Sequence, residues 1–283
     1  MARSHLAQPK QTGGRNLAVA VPVALGLLAV LVSSVWFSPW PFVGLVCVAL
    51  GLASWELSQA LTHARINLPF APLALGGVGT QIAAAISGPP GVLAGLALTA
   101  ALTVAWTMAD VAPRLPPARD LYAAFFAVVY LPLLASLVVL LAFEDFHNRG
   151  RFLVLLLVLL PVASDTGGFF AGTWLGRHKL APQVSPKKTW EGLAGSLLLS
   201  IAVAVVAIEL LDGPWWLGLA LGFGGAFMAT LGDLTESLLK RELGLKDMGW
   251  LLPGHGGVLD RVDSILLTAP LAYILLTAWV RAG

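Results

Sequence analysis

Long uncharged stretches separated by short polar segments make up almost the whole chain. A helix that crosses the hydrocarbon layer of a bilayer needs about 20 apolar residues, and nine stretches approach or exceed that length. They are interrupted where proline and glycine cluster, as at 88–90 and 212–214, because these residues end helices. The pattern therefore predicts nine membrane-spanning helices. The predicted spans are 17–37, 40–55, 66–87, 91–109, 121–143, 152 to about 176, 192–211, 215 to about 241 and about 258–280.

The composition excludes a water-soluble protein. Hydrophobic residues make up 58% of the 283 residues and charged residues only 11%, whereas soluble domains carry about 25% charged residues. The net charge of +2 gives no reason to expect a nucleic-acid partner, and the single cysteine, Cys47, leaves no disulfide framework. We therefore predict an all-α integral membrane protein, a polytopic bundle of about nine transmembrane helices, whose surroundings are the lipid bilayer.

Basic residues fall mainly on one side of the predicted spans. If the N-terminus is cytoplasmic, all of the 17 Lys and Arg residues except Arg149, Arg151 and Arg281 lie in cytoplasmic segments. Cytoplasmic loops of membrane proteins carry an excess of Lys and Arg, so this asymmetry supports both nine spans and a cytoplasmic N-terminus in the cell membrane. The first span is also longer than the apolar core of a secretory signal, about 7–15 residues, which predicts that it is retained.

The two halves of the chain differ in kind. The first five spans are almost featureless, whereas acidic, basic and glycine residues interleave with apolar ones after residue 152. We predict that 1–16 form a cytoplasmic tail, that 17–151 form a scaffold of transmembrane helices, and that 152–283 form the transmembrane helices that carry the catalytic site.

The first polar group of the C-terminal half lies in the sixth span. Asp165, Gly168, Gly172 and Gly176 follow one another at steps of three or four residues and share one helical face. Small residues at this spacing let helices pack closely, so Asp165 should point into the bundle. A packing seam is a sufficient explanation for the glycines, whereas an ionisable residue at membrane depth favours a functional role for Asp165.

The second group runs from residue 177 to residue 192. Ser185 followed by Pro186 is typical of a helix N-cap and first turn, which would place Lys187 and Lys188 in that turn. Cations are unfavourable at a helix N-terminus unless an anion is bound there, so the arrangement predicts a phosphate site. An ordinary basic loop that contacts lipid headgroups is the alternative.

The third group, 232–264, is rich in carboxylates. Asp233, Glu236 and Lys240 share one helical face, and Asp260 and Asp263 share a face on the next helix. Paired carboxylates repel each other, and burial raises that cost unless a cation lies between them. Ligands that are all oxygen favour a hard ion such as Mg²⁺. Two helices are therefore expected to present carboxylates to one divalent ion.

Glycines surround His255 ahead of the last span, where backbone amides could approach a phosphate. A cytoplasm-facing Mg²⁺ site with many cations suits a nucleoside triphosphate together with a phosphorylated lipid. In phosphoryl or nucleotidyl transfer the protein mainly positions the reactants and offsets developing charge, so no covalent nucleophile is needed. The charge pattern alone leaves open which base, which lipid and which bond are involved.

Three motifs carry a resemblance to a known family. The longest is Ser237-x2-Lys240-Arg241-x4-Lys246-Asp247-x5-Pro253-Gly254-His255-Gly256-Gly257-x2-Asp260-Arg261-x-Asp263, and the segments 164–166 and 185–192 precede it. Together they resemble the phosphatidate cytidylyltransferases, also called CDP-diacylglycerol synthases, over about 164–264. The first five spans match that family only in being hydrophobic.

The resemblance implies that the protein transfers CMP from CTP to phosphatidic acid and releases pyrophosphate. It implies Mg²⁺ as the cofactor, with a second, monovalent cation such as K⁺ as an addition to the metal centre. A phosphate oxygen of the lipid would attack the α-phosphorus of CTP at a site facing the cytoplasm. A homodimer is left open.

The resemblance also implies roles for individual residues. Catalytic roles fall on Asp233, Asp260, Asp263 and Lys240. Metal binding falls on Asp233, Asp260, Asp263 and Asp165, with Asp260 as the leading candidate. The implied substrate-binding residues are Ser185, Lys187, Lys188, Thr189, Arg241, Lys246, His255, Gly256, Gly257 and Arg261.

Two other functions are compatible with the charged residues. A secondary transporter could also bury carboxylates and cations, although transporters usually show repeated halves with sites at the midplane, and here the charges lie in one half. A lipid kinase that uses CTP would release a nucleoside diphosphate instead of pyrophosphate.

Overall fold

The computed structural model describes residues 17–111, 118–144, 149–245, 247–249, 251 and 256–282. Within these ranges the chain forms ten α-helical segments and one short hairpin. The helices are α1 (Leu17–Trp36), α2 (Pro39–Thr62), α3 (Phe70–Ser87), α4 (Pro89–Val111), α5 (Ala118–Val128), α6 (Leu134–Phe143), α7 (Arg151–Trp174), α8 (Trp190–Leu210), α9 (Trp215–Glu242) and α10 (Leu259–Ala282). The hairpin strands are β1 (Lys179–Ala181) and β2 (Ser185–Thr189), which pair antiparallel.

The predicted all-α membrane architecture is confirmed. Eight helical rods in the described residues are long and apolar enough to cross a membrane. One of these rods, 118–143, joins α5 to α6 through a π-helical turn, Val129–Leu133. The first predicted span is also helical, as α1. Eight of the nine predicted spans agree with the observed helices to within a few residues, and several are closed by a proline or glycine break, such as the Gly88 turn with φ +65°. The second span was predicted to end at residue 55, and this bound is wrong, because no proline or glycine follows there and α2 continues to Thr62.

The buried apolar side chains of the described residues form three clusters, two of which have buried members on α10. One joins α7 to α10 through fully buried leucines such as Leu157, Leu221 and Leu276. The other joins α2, α3 and the α5–α6 rod to the start of α10, around Leu57, Leu131 and Leu259. Many large apolar side chains on the outside of the bundle are exposed, as expected where lipid replaces water as the solvent. The second core brings the N-terminal half against the start of α10.

Small residues set the close packing of α7 against α8. A Cβ atom at Gly168 would lie 2.6 Å from the Ser196 hydroxyl, and one at Gly167 would overlap the backbone of Gly195. The Ser196 hydroxyl donates to the Ser164 carbonyl across the interface at 2.6 Å. The packing seam predicted from the glycine spacing is therefore present, although α7 ends at Trp174 and does not reach the last glycine of the pattern.

Candidate active site

Carboxylates from two helices meet in one cluster. Asp233 and Glu236 on α9 and Asp263 on α10 each place an oxygen within 4.8 Å of the others. Glu236 and Asp263 are buried, with 3% and 4% of their surfaces exposed. The two helices come this close because a glycine, Gly232, faces α10, where a Cβ atom would lie 3.1 Å from the Ser264 Cα atom. We call Asp233, Glu236 and Asp263 the carboxylate cluster.

The donor set of the carboxylate cluster fits a hard divalent cation. All three ligands are oxygens, which Mg²⁺ prefers. One oxygen of Glu236, Oε1, is buried and has no hydrogen-bond partner among the described residues. Leaving a charged oxygen buried without a partner is costly, and a bound cation would satisfy it. Asp233 and Asp263 were expected at this site from the sequence, whereas Glu236 was not expected as a ligand.

Asp260 has other partners. Its Oδ1 atom accepts from Lys240 Nζ at 2.9 Å, and its Oδ2 atom accepts from the backbone amides of Gly257 at 2.8 Å and Met248 at 3.1 Å. The three-residue cluster does not include Asp260. Its role as the leading metal ligand stays a prediction.

Lys240 bridges Glu236 of the carboxylate cluster and Asp260. Its ammonium lies 3.1 Å from Glu236 Oε2 and 2.9 Å from Asp260 Oδ1, and its side chain is 14% exposed. The pair within α9 has the i, i+4 spacing that brings side chains together on a helix. Lys240 thus offsets part of the negative charge of the cluster and ties α9 to α10.

The lysines of the second sequence group lie on a strand and not on a helix. Ser185–Thr189 forms β2, and α8 begins at Trp190 with Thr189 as its N-cap, whose hydroxyl accepts from the Gly192 amide at 3.0 Å. The prediction that Ser185 and Pro186 begin a helix is therefore wrong. The residue that caps the helix is instead Thr189, four residues after Ser185. Pro186 is tolerated in β2 because each strand of a two-stranded hairpin has an unpaired edge.

A carboxylate fixes the hairpin to the start of α8. Glu191 Oε1 lies 2.6 Å from the His178 ring, and Glu191 Oε2 accepts from the Arg177 amide at 3.1 Å. A carboxylate is favourable in the first turn of a helix. The contact holds the chain where it leaves α7 and enters β1, so the lysines of the hairpin are held near the α7–α8 seam.

A cavity of about 570 Å³ lies between α7, the hairpin, α8 and α9. Three lysines line it, namely Lys179, Lys187 and Lys188, together with Asp165 and several small or hydroxyl residues. Lys188 Nζ also lies 2.6 Å from Asp233 Oδ2 and 3.4 Å from the Thr230 carbonyl. Lys188 therefore lies between the lysine-lined cavity and the carboxylate cluster, lining the first and contacting the second.

The remaining predicted site residues are dispersed around this site. Arg241 is exposed, with Nε 3.5 Å from the Val184 carbonyl of the hairpin. Arg261 is exposed in the first turn of α10. Gly256 has φ +84°, a conformation that favours glycine, and a Cβ atom there would lie 3.1 Å from Asp260 Oδ2. Lys246 and His255 lie outside the described residues.

Sequence reasoning missed one acidic residue next to the site. Glu56 is the single charged residue of α2 and is fully buried. Its two carboxylate oxygens accept from the Val258 and Leu259 amides at 3.0 and 2.8 Å. A lone acid in an apolar span was the available signal, since such residues are rare at membrane depth.

Comparisons with known proteins agree with the site. The model of the family described as "Cytidylyltransferase family" matches residues 18–279. The chain is similar to a phosphatidate cytidylyltransferase of Mycobacterium leprae, with 38% identity over 93% of this chain and 88% of the relative. It is 35% identical to a phosphatidate cytidylyltransferase of Mycobacterium bovis over 98% of this chain and 93% of the relative. A Synechocystis protein of the same name is 48% identical over 39% of this chain and 38% of its own length. The chain therefore belongs to the cytidylyltransferase family.

Proposed function

We propose that this membrane protein is a phosphatidate cytidylyltransferase, a nucleotidyltransferase that converts CTP and phosphatidic acid to CDP-diacylglycerol and pyrophosphate in phospholipid biosynthesis. The observation that carries the proposal is the Lys188–Asp233 contact of 2.6 Å. It places a lysine-lined cavity, suited to phosphates, directly beside a carboxylate cluster suited to a divalent cation. The similarity to proteins of this name over nearly the whole chain supports the same activity.

The reaction requires little covalent chemistry from the protein. A phosphate oxygen of phosphatidic acid attacks the α-phosphorus of CTP, a new P–O bond forms, and the bond to the β-phosphate oxygen breaks to release pyrophosphate. A phosphate monoester is already largely ionised near neutral pH, so no general base is needed. The protein's contribution is then to hold two anionic substrates together and to offset the charge that develops on them.

The lysines around the cavity supply much of that contribution. Lys179, Lys187 and Lys188 would bind the triphosphate of CTP as point charges. Lys188 also contacts Asp233, so a phosphate that it binds would lie near the cation proposed for the carboxylate cluster. Further substrate contacts are proposed for Ser185, Arg241, Lys246, His255, Gly256, Gly257 and Arg261. Thr189 serves as the α8 cap, so we assign it to positioning the lysines of β2.

We propose that Asp233, Glu236 and Asp263 hold a divalent cation, Mg²⁺, and that a monovalent cation such as K⁺ is an addition to the same centre. When bound, Mg²⁺ supplies positive charge opposite the phosphate oxygens. Asp260 is proposed to act through Lys240 and the loop amides that it binds. Asp165 lines the cavity and is proposed to bind a metal or to orient a neighbouring lysine.

We further propose that the site faces the cytoplasm, because the basic segments cluster on that side and cytoplasmic loops are enriched in Lys and Arg. The catalytic residues then lie in 152–283, and 17–151 form the supporting helices. One residue of the supporting part, Glu56, accepts hydrogen bonds from the backbone just before Asp260, at Val258 and Leu259.

The decisive experiment follows label from CTP into lipid. Purified protein is incubated with phosphatidic acid, Mg²⁺ and CTP labelled on the α-phosphate, and chloroform-soluble label and released pyrophosphate are measured. We expect both products in equal amounts and neither with diacylglycerol in place of phosphatidic acid. Release of CDP without labelled lipid would indicate a kinase, and the absence of any turnover would contradict the proposed reaction.

A further inference from the structure

Glu56 caps a helix that lies about 200 positions away in the chain. The first amides of any helix have no partner within the helix, and a Ser, Thr, Asp or Asn just before the helix usually accepts from them. At α10 that place is taken by Val258, whose side chain has no oxygen. Glu56 accepts from Val258 N at 3.0 Å and Leu259 N at 2.8 Å instead, and its charge also suits the positive end of the helix.

The surroundings of Glu56 are shaped to admit its carboxylate. A Cβ atom at Gly257 would lie 2.6 Å from Glu56 Oε2, and a Cβ atom at Gly249 would overlap Glu56 Oε1. Both glycines are therefore required for the close approach. Burying a carboxylate completely carries a large desolvation penalty, which a simple helix cap at the surface would avoid.

Glu56 and Asp260 bind consecutive amides of the turn before α10. Gly257 and Met248 donate to Asp260, and the next two amides, Val258 and Leu259, donate to Glu56. The two carboxylates together hold the turn that precedes α10. Asp263 lies one helical turn further along α10, in the carboxylate cluster. A shift of this turn would therefore displace both Asp260 and Asp263.

We propose that Glu56 is a positioning residue for the reaction: it fixes the first turn of α10 and so sets the placement of Asp260 and Asp263 relative to α9. This inference rests on the proposed function. It assigns to a helix of the N-terminal half a role in the geometry of the site, without contact between Glu56 and substrate.

The test compares Glu56→Gln with a matched change at the far end of α10. Glu144 accepts two hydrogen bonds from Arg281 at 2.7 and 3.0 Å, so Glu144→Gln also weakens a carboxylate contact to α10, away from the site. We expect Glu56→Gln to lower kcat by about tenfold to 100-fold, as for a misplacement on the order of 1 Å. It should raise the Mg²⁺ concentration for half-maximal rate and leave the KM for CTP within about twofold.

A readout that does not need turnover is amide hydrogen exchange followed by mass spectrometry. Glu56→Gln should speed exchange in peptides that cover 256–264, and Glu144→Gln should not. Glu56→Asp, which keeps the charge on a shorter side chain, should recover part of kcat and part of the protection. Unchanged exchange at 256–264, or a kcat loss no larger than that of Glu144→Gln, would overturn the inference.

The two proposals fail in different ways. If wild-type protein forms no CDP-diacylglycerol, the proposed function is wrong, and the exchange comparison still decides whether Glu56 orders the first turn of α10. If Glu56→Gln does not fold, Glu56→Asp and Gly257→Ala take its place. Since a Cβ atom at Gly257 would press on Glu56 Oε2, the effects of Gly257→Ala and Glu56→Asp on kcat should be non-additive, and additive effects would contradict the inference.

Discussion

Replacing Asp263 with Asn tests whether the carboxylate cluster is built to hold a cation. The oxygens of Asp233, Glu236 and Asp263 lie within 4.8 Å of one another. At that separation two unit charges repel by about 3.5 kcal/mol for an effective dielectric constant of about 20. Because Glu236 and Asp263 are both buried, solvent screens their repulsion little. Asp263→Asn should therefore stabilise the metal-free protein by about 2–4 kcal/mol although it removes a proposed ligand.

The measurement is thermal unfolding of the detergent-solubilised protein, followed by circular dichroism in EDTA and during a Mg²⁺ titration. In EDTA we expect Asp263→Asn to unfold at a temperature higher by roughly 5 °C or more. The wild type should gain stability on addition of Mg²⁺, since a ligand that binds only the folded state stabilises it. The variant should gain little and should have lost turnover.

Asp212→Asn is the matched control, because Asp212 lies at the opposite end of α9 and Asn tolerates its φ of +59°. This variant should keep the wild-type midpoint, the Mg²⁺ response and the activity. The assignment of a cation site would be refuted if Asp263→Asn unfolded at a lower temperature than the wild type in EDTA and were still stabilised by Mg²⁺. The carboxylates would then not destabilise one another in the metal-free protein, and Asp263 would not be needed to bind the cation.

Three further variants test other parts of the site and the fold. Lys240→Met should lower the free energy of unfolding by about 3–5 kcal/mol, because it leaves the buried carboxylates of Glu236 and Asp260 without the Lys240 ammonium. Denaturant unfolding measures this free energy, and a loss below about 1 kcal/mol would contradict the bridging role. Lys188→Gln should change the free energy of unfolding by less than about 1 kcal/mol, since the ion pair with Asp233 is partly exposed. It should raise the KM for CTP, measured from initial rates, about tenfold or more, and an unchanged KM would show that Lys188 does not bind the nucleotide. Gly167→Ala should cost about 1–3 kcal/mol by forcing α7 from α8. Gly51→Ala, with open space around it inside α2, should instead stabilise the protein by up to about 1 kcal/mol in the same assay, since alanine favours a helix over glycine.

The membrane spans could be predicted closely because hydropathy and length determine them. Each apolar run must satisfy its backbone hydrogen bonds internally within the bilayer, which leaves the helix as the available structure. Proline and glycine then end the helices at fixed places. The π-helical turn at Val129–Leu133 was not predictable in this way, since Pro132 inside an apolar run does not specify which carbonyl it frees. In the structure Gln81 from α3 donates to the carbonyl of Pro132 itself at 3.0 Å, a contact between distant residues that local sequence does not show.

The site was only partly accessible from sequence. The i, i+3 and i, i+4 spacings placed the acids of α9 and of α10 on shared faces, and the structure brings Asp233 and Asp263 together. Spacing within a helix could not show which acid of α10 is paired with Lys240. The hairpin was missed because a Ser-Pro pair and a Thr four residues later are both plausible caps, and local sequence does not rank them. Glu56 was missed because its partners are 202 and 203 residues away.

The Glu56 contact also predicts how the sequence can vary. The carboxylate fits only while residues 249 and 257 lack a Cβ atom, and those glycines leave an empty space if the carboxylate is absent. A substitution at any one of the three positions should therefore be accepted only together with changes at the others. In an alignment of relatives, residues 56, 249 and 257 should therefore co-vary as a group across the two halves of the chain. Independent variation at these three positions would show that the fold does not require the fit of the carboxylate against the two glycines.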